Sequence, residues 1–389
     1  MIPRLFPLPR PARFALFYSA FYIGFGAYLP YMPVWFEARG LSPEMIGAAG
    51  AAAMAGRVLA APLGAYLADR APRRRMAVAA FSIAALLIFL AHIPAHEPWL
   101  IVALAGLVGG AYTGINPIID AFAMGESRRR RFAFGPPRAI GSGAFILGNV
   151  GCGALISLLG GEAALYWTLA GAALAVLASF WLPEGRRAPA PAPGVPRPGV
   201  RAALVAGGMP LAFAASALIQ GAHGFYYTFS AVAWQAQGIA PAWIGALWAT
   251  GVGAEIVFFT LSARYMARFP PAVLIALGGA AAILRWGLLS LSPPLAALFA
   301  LQGLHALSFG ATYLGFLRYA SDHVPDRFAA TAQAVNSALS GGLVLAAASF
   351  ASGFAYAAFG AGGFAMMAIP AGLGLACAIM LANRGRSRP

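Results

Sequence analysis

Seven ionisable side chains stand in or beside stretches otherwise built of Ala, Gly, Leu, Val and Phe: Arg57, Asp120, Arg138, His223, Glu255, Arg285 and His305. A guanidinium can hold an anion through paired charge-assisted hydrogen bonds. A carboxyl group among imidazoles can take up and release a proton. Arg57 and Glu255 each lie about 14 residues, or ~21 Å, into the helices expected to carry them. The hydrocarbon of a bilayer is about 30 Å thick, and a charge at its centre costs at least ~2.5–3.5 kcal/mol. These groups are therefore expected to face partners or a shared polar interior.

Helical spacing supports such an interior. Gln220, His223, Tyr227, Ser230 and Trp234 fall on one stripe, as do Gln302, His305 and Thr312, and then Gln333, Asn336 and Ser340. Tyr18, Tyr22 and Phe25 form an aromatic stripe. Polar stripes on apolar helices suit a water-filled central cavity. Each residue also has a structural alternative. Glu255 with Arg285 fits a buried ion pair, Asp120 with Arg138 a helix-end salt bridge, and His223 or His305 a hydrogen-bonded core histidine. The aromatic stripe fits packing.

The elements that must carry these residues are membrane-spanning helices. Hydrophobic residues make up 61% of the 389, charged residues 10%, and mean hydropathy is +0.76. A soluble domain is nearer 45–50% apolar and about 25% charged. Twelve helices are expected, near 14–36, 43–67, 76–93, 98–123, 138–160, 163–182, 204–235, 241–265, 271–291, 294–319, 327–352 and 356–382. A Pro-rich linker, 184–203, divides them into a six-helix half at 1–183 and another at 204–389. The expected fold class is thus an all-α membrane protein with two pseudo-symmetric six-helix halves.

Charge gives an orientation. The chain has no lysine, and all but three of its 26 basic residues fall in the two tails and every second connection. Under the positive-inside rule those connections and both termini lie on the cytoplasmic side. The exceptions are Arg39, Arg57 and Arg285. Without lysine there is no Walker A phosphate loop and no Schiff-base nucleophile. His96-Glu97 leads to no second zinc-ligating histidine, and no nucleophile–base motif is present, so an enzyme is not expected. The net charge of +15 is spread over loops, where anionic lipid headgroups rather than nucleic acid are its expected partner. Cys152 and Cys377 sit among Gly and Ala as small packing residues. No cofactor or metal is expected.

Gly64-Ala-Tyr-Leu-Ala-Asp69-Arg70-Ala-Pro-Arg73-Arg74-Arg75 resembles the loop 2–3 signature of the major facilitator superfamily, with Ala65 and Pro72 in place of two glycines. The resemblance implies a gating role for Asp69, Arg70 and Arg73. Gln220-Gly-Ala-His223-Gly-Phe-Tyr226-Tyr227, Trp234-Gln235, Glu255, Arg285-Trp286-Gly287, Leu301-Gln302 and His305, with Arg57, Asp120 and Arg138, are similar to the 3-phenylpropionic acid transporters. That group is related to lactose permease and the oligosaccharide–proton symporters. Ser308 is a departure, standing where lactose permease has its proton-carrying carboxylate.

The resemblance implies proton-coupled symport of a small aromatic monocarboxylate, by a monomer in the bacterial inner membrane. The substrate would meet Arg57, Arg138, Asp120, His223, Tyr22, Tyr227, Trp234 and Gln302, and the proton would be handled by Glu255, Arg285 and His305. Symport of a sugar or nucleoside, and efflux of drugs or metabolites, remain alternatives.

Overall fold

The structure is a computed structural model that describes residues 8–185 and 199–386, and the regular elements among them are all helices. The first six are α1 (Arg10–Ala38), α2 (Pro43–Arg70), α3 (Arg74–His92), α4 (Pro98–Arg130), α5 (Gly135–Leu159) and α6 (Ala163–Ser179). A short helix, Val200–Val205, and a 3-10 turn lead into α7, which comes in two pieces, Met209–Gly221 and Gly224–Ala236. Then follow α8 (Pro241–Tyr265) and α9 (Pro271–Leu289). We number 295–323 as α10, 326–359 as α11 and 360–386 as α12. A π-turn interrupts α10 at Ala306–Ala311, and another interrupts α11 at Leu339–Val344.

Nine helical segments of the described residues are long and apolar enough to cross a membrane. One of them, Asp326–Arg384, is 59 residues long, enough for two crossings, and it breaks where Gly360 takes φ +54°. α1 and α2, at 29 and 28 residues, are also long enough to cross, although tyrosine, glycine and proline dilute the apolar character of α1. The helices keep the expected order and boundaries to within a few residues, except that α4 runs on to Arg130, α11 runs on to Phe359 and α7 is broken. Residues 186–198 of the expected linker lie outside the described residues, and from Val200 the chain is already helical.

Local signals explain many starts. Prolines open α2, α4, α8 and α9, where a missing N–H costs nothing. The Ser42 side chain also accepts from Met45 N–H, capping α2.

The first six helices pack mainly among themselves, with α1 against α5 and α6 and α4 against α2 and α3. The last six do likewise, with α12 against α7 and α9 and α10 against α8 and α9. The two groups are joined chiefly by α2 with α11, α5 with α8 and α1 with α7, and more slightly by α2 with α7. The α1 contact runs through Gly224–Ala236 and the α2 contact chiefly through Leu345–Phe359, the parts of α7 and α11 far from the arginine-rich ends. The groups therefore close on one face and part on the basic face.

The closure relies on small residues. A methyl at Gly47 would stand 2.8 Å from Gly353 Cα, and one at Gly245 would stand 2.8 Å from the carbonyl carbon of Asn149. Tyr31 donates a hydrogen bond of 2.8 Å to Pro241 O across the same face.

Candidate functional site

The break in α7 sets His223. Gly221 and Gly224 flank it because α11 comes too close for side chains there: a Cβ at Gly221 would meet Val344, and one at Gly224 would stand 2.6 Å from the Ala348 Cβ. His223 is completely buried at the junction. The π-turn in α10 begins directly after His305 and carries Ser308, so both helices leave their regular geometry where the polar side chains meet.

Arg285, on α9, is fully buried at the centre of this cluster. Its Nη2 donates to Gln302 Oε1 at 2.7 Å, and its Nη1 donates to His305 Nδ1 at 3.1 Å and to Ser308 Oγ at 3.5 Å. The rings of Tyr226 and Trp286 flank its guanidinium at 4.6 and 4.7 Å, a cation–π distance.

Because arginine only donates, these contacts fix the protons around it. His305 must accept at Nδ1, so the hydrogen of the neutral ring is on Nε2, which points at Glu255 Oε2 3.5 Å away. Ser308 accepts from Arg285 and is free to donate to His223 Nε2 at 3.3 Å. His223 in turn donates from Nδ1 to Gln220 O at 3.0 Å. One protonation pattern satisfies the whole chain from Glu255 to Gln220. Glu255 and Arg285 do not form the direct ion pair that was one alternative, since His305 stands between them.

Arg57 has a different setting. Halfway along α2, it is solvent-exposed, yet its electrostatic neighbours are the buried Tyr28 and the half-buried Tyr227. A Cβ on Gly341 of α11 would lie 3.3 Å from its Nη2. Its exposure is therefore to the interior opening and not to the lipid side. Among the described residues Arg57 has no carboxylate partner. Tyr227 links the clusters, because Glu255, Arg285 and Arg57 all fall within its electrostatic reach.

A second cluster lies between α1, α4 and α5. Tyr18 donates to Asp120 Oδ1 at 2.6 Å, and Tyr22 donates to Asn116 Oδ1 at 2.7 Å. Each pair is one helical turn apart on its own helix, so the two helices meet as matched rungs. Arg138 Nε lies 3.6 Å from Asp120 Oδ1, and its guanidinium sits 4.5 Å over the Tyr22 ring. Asp120 and Arg138 remain about a third exposed, which places them on the wall of the opening. No hydrogen bond or ion pair joins this cluster to the one around Arg285 among the described residues.

The structure thus gathers Arg57, Tyr227, Glu255, Arg285, His305, Gln302 and His223 in one region, and Tyr22, Asp120 and Arg138 in another. Trp234 joins neither opening: it is fully buried and packs on Tyr226 at 6.1 Å. In the gating motif, Arg73 donates to Glu184 at 2.8 Å, a contact within the first six helices and their exit. Arg70 ends α2 at the surface, and the side chain of Asp69 lies outside the described residues. Sequence reasoning missed Tyr28, Asn116 and the linking part played by Ser308, and it had Tyr226 within the resemblance motif without a role against Arg285. Extending the Tyr18–Tyr22–Phe25 stripe by one step reaches Tyr28.

A model of the MFS_1-like family matches residues 12–366. A probable 3-phenylpropionic acid transporter of Escherichia coli (strain K12) is 29% identical over 368 residues, covering 92% of this chain and 94% of that protein. Among solved structures, the nucleoside transporter NupG superposes with a TM-score of 0.82 at 16% identity, covering 98% of this chain and 100% of that one. The POT family transporter PepTSo superposes with a TM-score of 0.66 at 13% identity, covering 98% of this chain and 99% of that one.

Proposed function

The chain belongs to the MFS_1-like family and is a multi-pass membrane transporter of the major facilitator type; on that premise we propose that it carries a small aromatic monocarboxylate, 3-phenylpropionate or a close analogue, in symport with a proton. The observation that carries this reading is Arg57: a guanidinium deep in the membrane, open to the interior and without an acid of its own among the described residues. Such a charge is costly in an apolar medium unless something neutralises it, and a carboxylate substrate does so through two parallel hydrogen bonds. A neutral sugar or nucleoside would leave it uncompensated.

In this reading Tyr227 and Tyr22 contact the substrate from the two walls, and Arg138 with Asp120 forms a second, weaker polar station nearer the basic face. Glu255 takes up the proton, and His305, held by Arg285 and Gln302, presents Nε2–H to it. His223 tunes the same network through Ser308. With proton and substrate bound, the units 1–183 and 204–389 rock about the central site, joined by the linker 184–203 and gated by Asp69, Arg70 and Arg73. The basic face and both termini are cytoplasmic, the protein sits in a bacterial inner membrane, and one chain suffices. No cofactor takes part.

Uptake of labelled 3-phenylpropionate into proteoliposomes, with and without an imposed pH gradient, tests the proposal. Gradient-driven accumulation is expected, and its absence overturns coupled symport. Glu255→Gln should keep exchange of external for internal substrate but lose accumulation; a variant that still accumulates removes Glu255 as the carrier.

A further inference from the structure

A small apolar chamber lies at the interface of the two helix groups, on the closed side of Arg57. Its walls include Tyr28 and Met32 of α1, Ala53 and Met54 of α2, Tyr227 of α7 and Ser349 of α11. Two observations tie it to the arginine. Ala53 and Met54 lie one helical turn from Arg57 on the same helix, towards the closed face. Tyr28 and Tyr227, which line the chamber, are also the electrostatic neighbours of the guanidinium. A cation thus stands at the mouth of an apolar recess, an arrangement that matches a molecule with a carboxylate at one end and an apolar group at the other.

We propose that this chamber receives the aryl end of the substrate while Arg57 holds its carboxylate, and that Met32 and Met54 set the size of group admitted. The proposal rests on the carboxylate reading of Arg57 and adds the place and limit of the apolar end. A two-carbon spacer covers on the order of one helical turn, ~5.4 Å, the separation of Arg57 from Ala53 and Met54 along α2. The chamber as it stands holds ≈ 40 Å³, whereas a cavity that takes up a benzene ring measures about 150 Å³. The lining must therefore yield, and the two methionines can do so: an unbranched thioether changes rotamer at little cost and repacks around irregular shapes. Tyr227 and Ser349 belong to the last six helices and the other four to the first six, so a ring lodged here touches both groups at once. Occupation by an aryl group would then bear on closure as well as on affinity.

The test uses the purified full-length protein in detergent and calorimetric titration with butyrate, 3-phenylpropionate and 3-(2-naphthyl)propionate. Ala53→Leu, which narrows the chamber, should weaken 3-phenylpropionate about tenfold or more relative to butyrate, the scale on which an apolar pocket rejects a misfit. Met54→Ala, which enlarges it, should improve the naphthyl acid relative to 3-phenylpropionate, and butyrate binding by either variant shows that it is folded. If both variants keep the wild-type order of the three acids while Arg57→Gln weakens all of them, the chamber is not the aryl site and the carboxylate reading stands. If Arg57→Gln leaves all three unchanged, the carboxylate reading fails and this proposal falls with it.

Discussion

Arg57 and Arg285 are the same residue at similar depth, but their surroundings differ in almost every respect. Arg285 is fully buried, hydrogen-bonded to three side chains on α10 and sandwiched by two aromatic rings. Arg57 is open to the interior, lies against the backbone of Gly341 and has no acid partner among the described residues. An enclosed charge with both terminal nitrogens hydrogen-bonded organises what touches it, and here it fixes the tautomer of His305. An open charge with its donors free is a place for something else to bind. Depth in the membrane marks both residues as exceptional; only the immediate partners separate scaffold from binding site.

The comparison can be broken most severely at Arg285. Arg285→Leu should destabilise the protein by roughly 3–5 kcal/mol, the usual result of removing one partner from a buried charged network. Thermal unfolding in detergent would show it, and an unchanged melting temperature would mean that the enclosed arginine is not structural. Arg57→Gln should leave unfolding nearly unaltered and raise the apparent KM for carboxylates by about 10- to 100-fold, equivalent to the ~1.5–3 kcal/mol of a charged hydrogen bond. Arg57→Lys sharpens the contrast, because it keeps the charge and loses the planar fork; transport kinetics should fall between the wild type and the glutamine variant. The smallest effect is expected at Tyr22→Phe. It deletes the hydrogen bond to Asn116 but keeps the ring under Arg138, so the same KM should rise by a few-fold, in line with ~0.5–1.5 kcal/mol for a neutral hydrogen bond.

Much of this arrangement was legible in the sequence because the constraints are coarse. A bilayer demands long apolar runs, and Leu, Ala and Val between arginine-rich connections located the helices to within a few residues. A charge inside such a run is expensive, so Arg57, Glu255 and Arg285 stood out without any knowledge of their neighbours. What was not legible depends on contacts between helices. The break at Ala222–His223 exists because α11 approaches Gly221 and Gly224, and the two π-turns have no signature in the composition of α10 and α11. Helical periodicity put Trp234 on the same stripe as His223 and Tyr227, but Trp234 lies two turns beyond Tyr227 towards the closed face, where this piece of α7 packs on α1, and it ends in the packed interior. The pairing of Glu255 with His305 in place of Arg285 likewise follows from side-chain reach, which spacing along one helix does not reveal.

The seam on the closed face has a consequence of its own. Gly47 meets Gly353, Gly245 meets Asn149, and Tyr31 supplies one hydrogen bond to a carbonyl; no ion pair crosses at that face among the described residues. The packed centre of this seam is backbone against backbone, and its charge is confined to a rim: Glu37 of α1 is within electrostatic reach of Tyr356 of α11, and the backbone of Glu44 packs on Gly353. Salt and protons on that side therefore act on an acidic rim and not on the packed centre. On the other side they meet the basic end and the charged residues lining the open interior directly. The protein in effect has one door with an uncharged latch and one whose working surfaces carry charge.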